Sequence, residues 1–164
     1  MMSSLVFCKL RANIVTDHLC KPDLTVINYT TDPSFIAWRT AIFTLGKSKR
    51  SYMKLSGLFE EMTDKVKTWS AEDIFSSIIP WLAVVVAAFG PSRIMFGSNW
   101  PVCTVGVDDV NYNEWPDNAW EKWRRVVEMV CDLAGLGEED QKRVWAGTAK
   151  EAYNLEERAK FEFL

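Results

Sequence analysis

Five residues stand where a folded chain could use them for chemistry: His18, Lys54, Ser56, Asn99 and Trp100. His18 is the only histidine in 164 residues, and its imidazole can polarise a carbonyl, relay a proton near neutral pH or bind a metal. It lies just past the β-prone run Ile14-Val15-Thr16 and ahead of the breaker Lys21-Pro22, so it belongs at a strand end. Asn99 and Trp100 follow the apolar run Ile94-Met95-Phe96 and the turn-forming Gly97-Ser98, which puts them at the mouth of a second buried strand. The Asn99 amide can join hydrogen bonds but has no useful basicity. Between these two, Tyr52 to Leu58 reads as a strand in which Met53, Leu55 and Gly57 share one side, and Lys54 and Ser56 share the other, facing whatever the strand encloses.

Each residue also has a plain structural reading. A lone histidine at a strand end can serve as a loop hydrogen-bond partner, Lys54 and Ser56 as interior filling, and Trp100 as a packing residue. Asn99 can act as an Asx-type turn cap.

The elements that must position these residues follow from the pattern around them. Asp32 can cap a helix with Pro33 at its first position, an apolar face of Phe35, Ile36, Ala37, Trp38, Ile42, Phe43 and Leu45, and a stop at Gly46. Ser70, with Glu72 and Asp73 in the first turn, starts a helix that runs to Phe89-Gly90-Pro91, with a kink or break at Pro80. A loop from Thr104 to Pro116 precedes an amphipathic helix from Asp117 to Ala134. Two short helices follow, near Glu138 to Ala146 and Thr148 to Leu155. Trp120 and Trp123, three apart, share a helical face, and with Trp115 and Trp145 they read as helix packing. The rhythm is β-loop-α three times, which argues for an α/β fold with parallel strands near residues 13 to 17, 52 to 57 and 93 to 98.

Composition narrows the function classes. A net charge of -3 and no Lys/Arg-rich block give no electrostatic reason to expect nucleic acid or an anionic membrane, so a small-molecule substrate is the default partner. Cys8, Cys20, Cys103 and Cys131 lie far apart without CxxC spacing, as reduced thiols in a cytoplasmic protein would. The longest apolar run, Trp81 to Phe89, is far below the roughly 20 residues that span a bilayer, and Met1 to Phe7 makes no convincing signal peptide.

Three separated motifs, Val15-Thr16-Asp17-His18-Leu19-Cys20-Lys21-Pro22, Lys54-Leu55-Ser56-Gly57-Leu58 and Phe96-Gly97-Ser98-Asn99-Trp100-Pro101-Val102-Cys103, occur in this order with helix-length spacers. A closing Ala146-Gly147-Thr148-Ala149 and Tyr153 follow. Together they resemble the amidohydrolase-related family of the metal-dependent hydrolase superfamily, and within it the lactonase-like branch of fuconolactonases and 2-pyrone-4,6-dicarboxylate lactonases. The resemblance implies a (β/α)8 TIM-type barrel, a fold of about 250 residues and seldom fewer than about 200. Residues 1 to 164 therefore read as one partial domain, an incomplete barrel holding about its last three βα units, the sixth to eighth strands.

The resemblance further implies a hydrolase that opens a lactone or similar cyclic ester or amide by water attack at the barrel mouth. His18 and Asn99 would be its catalytic positions, and Lys54, Ser56 and Trp100 would contact substrate. The family's first-strand His-x-His pair has no counterpart in this chain, and Asn99 stands where the family carries an aspartate that takes a proton from water. No metal ligand set is therefore assigned, and a zinc or manganese ion is expected only in a complete barrel. The alternative is a catalytically inactive truncated or interaction module, self-associating through open sheet edges.

Overall fold

The computed structural model describes residues 12–100 and 119–155. Within them, β1 (Ile14–Thr16), β2 (Ser51–Leu55) and β3 (Ile94–Phe96) form one sheet in the order β1-β2-β3. Both pairings are parallel, with Val15 opposite Tyr52 and Lys54 opposite Met95. The connections are helical: α1 (Pro33–Gly46) joins β1 to β2, and α2 (Asp64–Lys67) and α3 (Ala71–Phe89) join β2 to β3. After β3 come α4 (Ala119–Leu133), α5 (Glu138–Lys142) and α6 (Thr148–Tyr153). The strands are shorter than the sequence pattern suggests because their ends leave the ladder to form the turns that carry the polar residues. The expected start of the fourth helix at Asp117, the loop Thr104 to Pro116 with Trp115, the N-terminal segment Met1 to Leu10, Cys8 and Cys103 lie outside the described residues.

Local chemistry explains the helix starts. The Asp32 carboxylate accepts hydrogen bonds from the backbone N–H of Ser34 at 2.8 Å and Phe35 at 3.3 Å, and Pro33 fills the first helical position. Ser70 Oγ accepts from Asp73 N at 3.1 Å and donates to Asp73 Oδ2 at 2.7 Å, a reciprocal cap with acidic residues favoured by the helix dipole. Of the kink or break expected at Pro80, the break does not occur: α3 runs as one helix from Ala71 to Phe89 with Pro80 inside it. By length and composition alone α3 could also cross a membrane, which the nine-residue apolar run hid. Here its Ile74, Ile78, Leu82, Val85 and Phe89 stripe joins the core beneath the sheet.

That core fills the space between the sheet's outer face, represented by Met53, Leu55 and Ile94, and α1, α3 and α4. Gly46 allows α1 and α3 to meet, since a Cβ there would lie 2.5 Å from Ala88 O. The Arg93 guanidinium ties the same corner by donating to Gly46 O at 2.9 Å, Ser48 O at 2.7 Å and Ala88 O at 3.2 Å. The face of α1 is narrower than its composition suggests: Phe35 and Ile42 are buried, whereas Ile36 and Phe43, seven residues apart, are exposed together with Ile14 of β1.

The sheet's other face is partly covered by α6. Tyr52 and Met95 pack with Ala152, Ala149 and Val15. Tyr52 Oη donates to Glu151 Oε1 at 2.8 Å, and Asn13 Nδ2 donates to Ala152 O at 3.1 Å. Because Asn13, Tyr52 and Ser92 stand at the strand beginnings, α6 closes the end opposite His18 and Asn99. The two expected C-terminal helices are one path: α5 passes through a widened π-turn, Arg143–Gly147, directly into α6. Trp145 of that turn packs on Phe96, ring centroids 4.9 Å apart, and covers the β3 side.

Candidate active site

The chain leaves β1 through a left-handed turn. His18, Leu19, Cys20 and Lys21 have φ of 56°, 50°, 60° and 48°, a conformation that costs L-residues roughly 1–2 kcal/mol each. Such a run persists only where the surroundings hold it. Leu19 is fully buried and its carbonyl accepts from Trp38 Nε1 at 2.9 Å. Lys21 Nζ pairs with Glu61 Oε1 at 3.3 Å. The turn brings the His18 ring to β2, where Nδ1 lies 2.9 Å from Ser56 Oγ, so Nε2 is the ring nitrogen left for other partners. Gly57 is required beneath the ring: its φ is +68°, and a Cβ there would stand 2.1 Å from His18 Nδ1. Ser56 is itself fixed, being 2% exposed. The preceding Leu55 carbonyl accepts from Trp123 Nε1 at 2.9 Å and Gly97 N at 3.1 Å.

Asn99 sits past β3 with a φ of +58°, which asparagine tolerates better than most residues. Its Nδ2 donates to Glu60 Oε1 at 2.6 Å. Ser98 Oγ accepts from Trp100 N at 3.3 Å; the backbone N–H groups that an Asx-type cap at Asn99 would engage lie outside the described residues. Trp100 does not pack; it is 71% exposed, because no described element lies over this edge of the mouth. Lys54 is half-buried and its Nζ meets Asp17 Oδ1 at 2.9 Å. Burial works against its charge, but hydrogen bonds to Asp17 and Tyr153, with their electrostatic attraction, outweigh it and raise its pKa above the usual lysine value.

Since the strands are parallel, His18, Ser56 and Asn99 all gather at their C-terminal end, the end at which barrels of this kind place their chemistry. The sequence pattern had singled out these three. It missed Asp17, Glu60, Gly57 and Trp123, whose parts depend on loop conformation or on a helix distant in sequence. Period-two alternation places Gly57 on the outer side, but nothing in the pattern shows the histidine ring lying against it. A separate cleft of about 930 Å³, lined by Asn13, Arg50, Tyr52, Glu151 and Asn154, lies at the strand beginnings. It shares no residue with the mouth. Cys131 lies in the core at 1% exposure, and burial pushes its thiol up to about 11, away from the thiolate form that a nucleophile needs.

The described residues include no group of three or more His, Cys, Asp or Glu side chains placed to hold a metal ion. His18 has one ring nitrogen engaged by Ser56, and its nearest carboxylate in sequence, Asp17, is bound to Lys54. These residues do not make a metal site by themselves.

An amidohydrolase family profile matches residues 4–155. The chain belongs to the amidohydrolase family. It is 34% identical over 147 residues to an L-rhamnono-gamma-lactonase of Scheffersomyces stipitis, covering 86% of this chain and 40% of the relative. It is 33% identical over 146 residues to an L-fucono-1,5-lactonase of Burkholderia multivorans, covering 89% and 44%. A crystal structure of a Burkholderia multivorans amidohydrolase with bound Zn superposes with a TM-score of 0.65 at 30% identity, covering 87% of this chain and 44% of that one. The same protein with bound HEPES gives 0.66, again at 30% identity, with 87% and 45% covered. This amidohydrolase chain thus spans less than half the length of the relatives it matches.

Proposed function

We propose that this amidohydrolase chain contributes the last three βα units of a (β/α)8 barrel that hydrolyses a sugar lactone by water attack at the C-terminal mouth. The observation that carries the reading is the His18–Ser56 contact over Gly57. A strained turn, a buried hydroxyl and an obligatory glycine together hold one imidazole at the strand end, and backbone strain that the fold maintains clusters at functional sites. His18 Nε2 faces the lactone carbonyl and polarises it. Ser56 sets the ring's orientation, Asn99 orders the far side, and Lys54 and Trp100 border the substrate. The L-rhamnono-gamma-lactonase and L-fucono-1,5-lactonase relatives favour an aldonolactone. Among the described residues the cations of the mouth, Lys21 and Lys54, are both ion-paired, to Glu61 and Asp17, which favours a neutral substrate over an anionic one. A cytoplasmic setting suits such chemistry and the free thiols Cys20 and Cys131.

A metal enters this reading only through the relative crystallised with Zn, and its ligands would come from strands outside this chain. The barrel needs those strands, so the test supplies them. The part of the Burkholderia multivorans lactonase that this chain does not cover is added as a separate polypeptide, and hydrolysis of L-fucono-1,5-lactone and L-rhamnono-gamma-lactone is followed by acid release. Turnover that requires both pieces supports the proposal; an assembled, folded complex inert to the whole panel refutes it.

The second reading, an interaction module, rests on the exposed Ile14, Ile36 and Phe43 beside the β1 edge. In a complete barrel that side would meet the preceding βα unit.

A further inference from the structure

We propose that Glu60 is the proton acceptor of this mouth, held in place by Asn99; the inference rests on the hydrolytic reading above. Among the described residues, three carboxylates border the strand ends. Asp17 is bound to the Lys54 ammonium and Glu61 to the Lys21 ammonium. Glu60 makes no described ion pair; its partner is the neutral Asn99 amide, 2.6 Å away, and its side chain is exposed to arriving water. An ionised carboxylate can only accept hydrogen bonds, so one Glu60 oxygen takes the Asn99 N–H and the other remains for a water.

The arrangement also accounts for an amide at position 99. A second carboxylate at that distance would have to share a proton with Glu60, as like charges in contact do. Asparagine instead fixes the base without competing for its proton. In the step this implies, a water held by Glu60 gives that carboxylate a proton while its oxygen bonds to the lactone carbonyl carbon and the carbonyl electron pair moves onto oxygen. When the tetrahedral adduct collapses, the ring C–O bond breaks, and the departing ring oxygen takes the proton back from Glu60. Water and lactone become a hydroxy acid, and Glu60 ends ionised.

The test has two arms. In the full chain carrying Asn99→Asp, carboxyl carbon NMR should show the introduced carboxyl and Glu60 titrating as a pair, with the first proton taken up well above the ordinary carboxylate range. Combining Asn99→Asp with Glu60→Gln should abolish that step. Two independent, ordinary titrations would overturn the contact and the proposal with it. In the completed barrel, Glu60→Gln should lower kcat by roughly 10²- to 10⁴-fold, with KM little changed and the acid limb of the pH profile lost, while Glu60→Asp should keep the limb. Wild-type turnover unaffected by Glu60→Gln overturns the acceptor role alone and leaves the hydrolytic reading standing. An inactive wild-type complex, shown to be assembled, overturns that reading and the acceptor role together.

Discussion

His18 owes its orientation to two neighbours, and each can be removed separately. Ser56→Ala deletes the hydroxyl 2.9 Å from Nδ1 and should cost about 0.5–1.5 kcal/mol, the usual net worth of one hydrogen bond. Imidazole NMR should then report a ring averaging between orientations; a ring signal unchanged from wild type would dismiss Ser56 as its partner. Gly57→Ala is harsher, because the new Cβ would overlap His18 Nδ1 at 2.1 Å and sit at a φ of +68°. It should displace the imidazole and lower stability by more than Ser56→Ala does, as thermal melts of the two variants will show. At this scale the sequence was readable where period two dictates side, as for Lys54 and Ser56, and where a strand visibly ends, as for His18 and Asn99. It was unreadable where two loops meet. The Glu60–Asn99 contact spans 39 positions, and neither residue's composition context announces the other. Trp100 shows the converse error, since an aromatic at a strand end suggested packing that the structure does not provide.

Among the elements, α4 and α6 act on the site from a distance. Trp123, 1% exposed, donates its indole N–H to Leu55 O at 2.9 Å and so pins the last residue of β2. Trp123→Phe keeps most of the volume but loses the donor, and should destabilise by about 1 kcal/mol, read as a lower denaturation midpoint with an unchanged m-value. The helix α6 is held at the other end by Glu151, whose carboxyl is kept below the usual range by the Arg143 guanidinium first and the Tyr52 hydroxyl second. A carboxyl with a depressed folded pKa contributes stability that is present above its ordinary value and lost as pH falls through the folded value. Acid titration should therefore loosen α6 below about pH 4.5, detectable as faster amide exchange in Thr148–Tyr153, and Glu151→Gln should remove that dependence. Strand positions and the capped starts of α1 and α3 were legible because apolar runs, Asp32-Pro33 and Ser70 state them locally. The continuous course of α3 through Pro80 and the π-turn before α6 were not, since packing against the sheet decides both.

For the molecule as a whole, the two sides of the sheet differ. The β3 side is covered by the Arg143–Gly147 turn through Trp145 on Phe96, whereas the β1 side presents exposed Ile14, Ile36 and Phe43. The isolated chain should consequently self-associate through the β1 side. Light scattering should show the mass falling toward that of a monomer in Phe43→Lys with Ile36→Lys, and a wild-type chain that stays monomeric at high concentration would speak against it. The parallel α/β layout was legible from the β-loop-α rhythm, but the cover that α6 gives the inner face was not, because no local pattern records which face a terminal helix takes. The measurement that bears most directly on the whole account is lactone hydrolysis by the completed barrel with and without His18. The wild-type complex should open an aldonolactone, and His18→Ala should lose most of that activity while assembling equally well. Equal turnover by His18→Ala would contradict the assignment of this mouth as the reaction site.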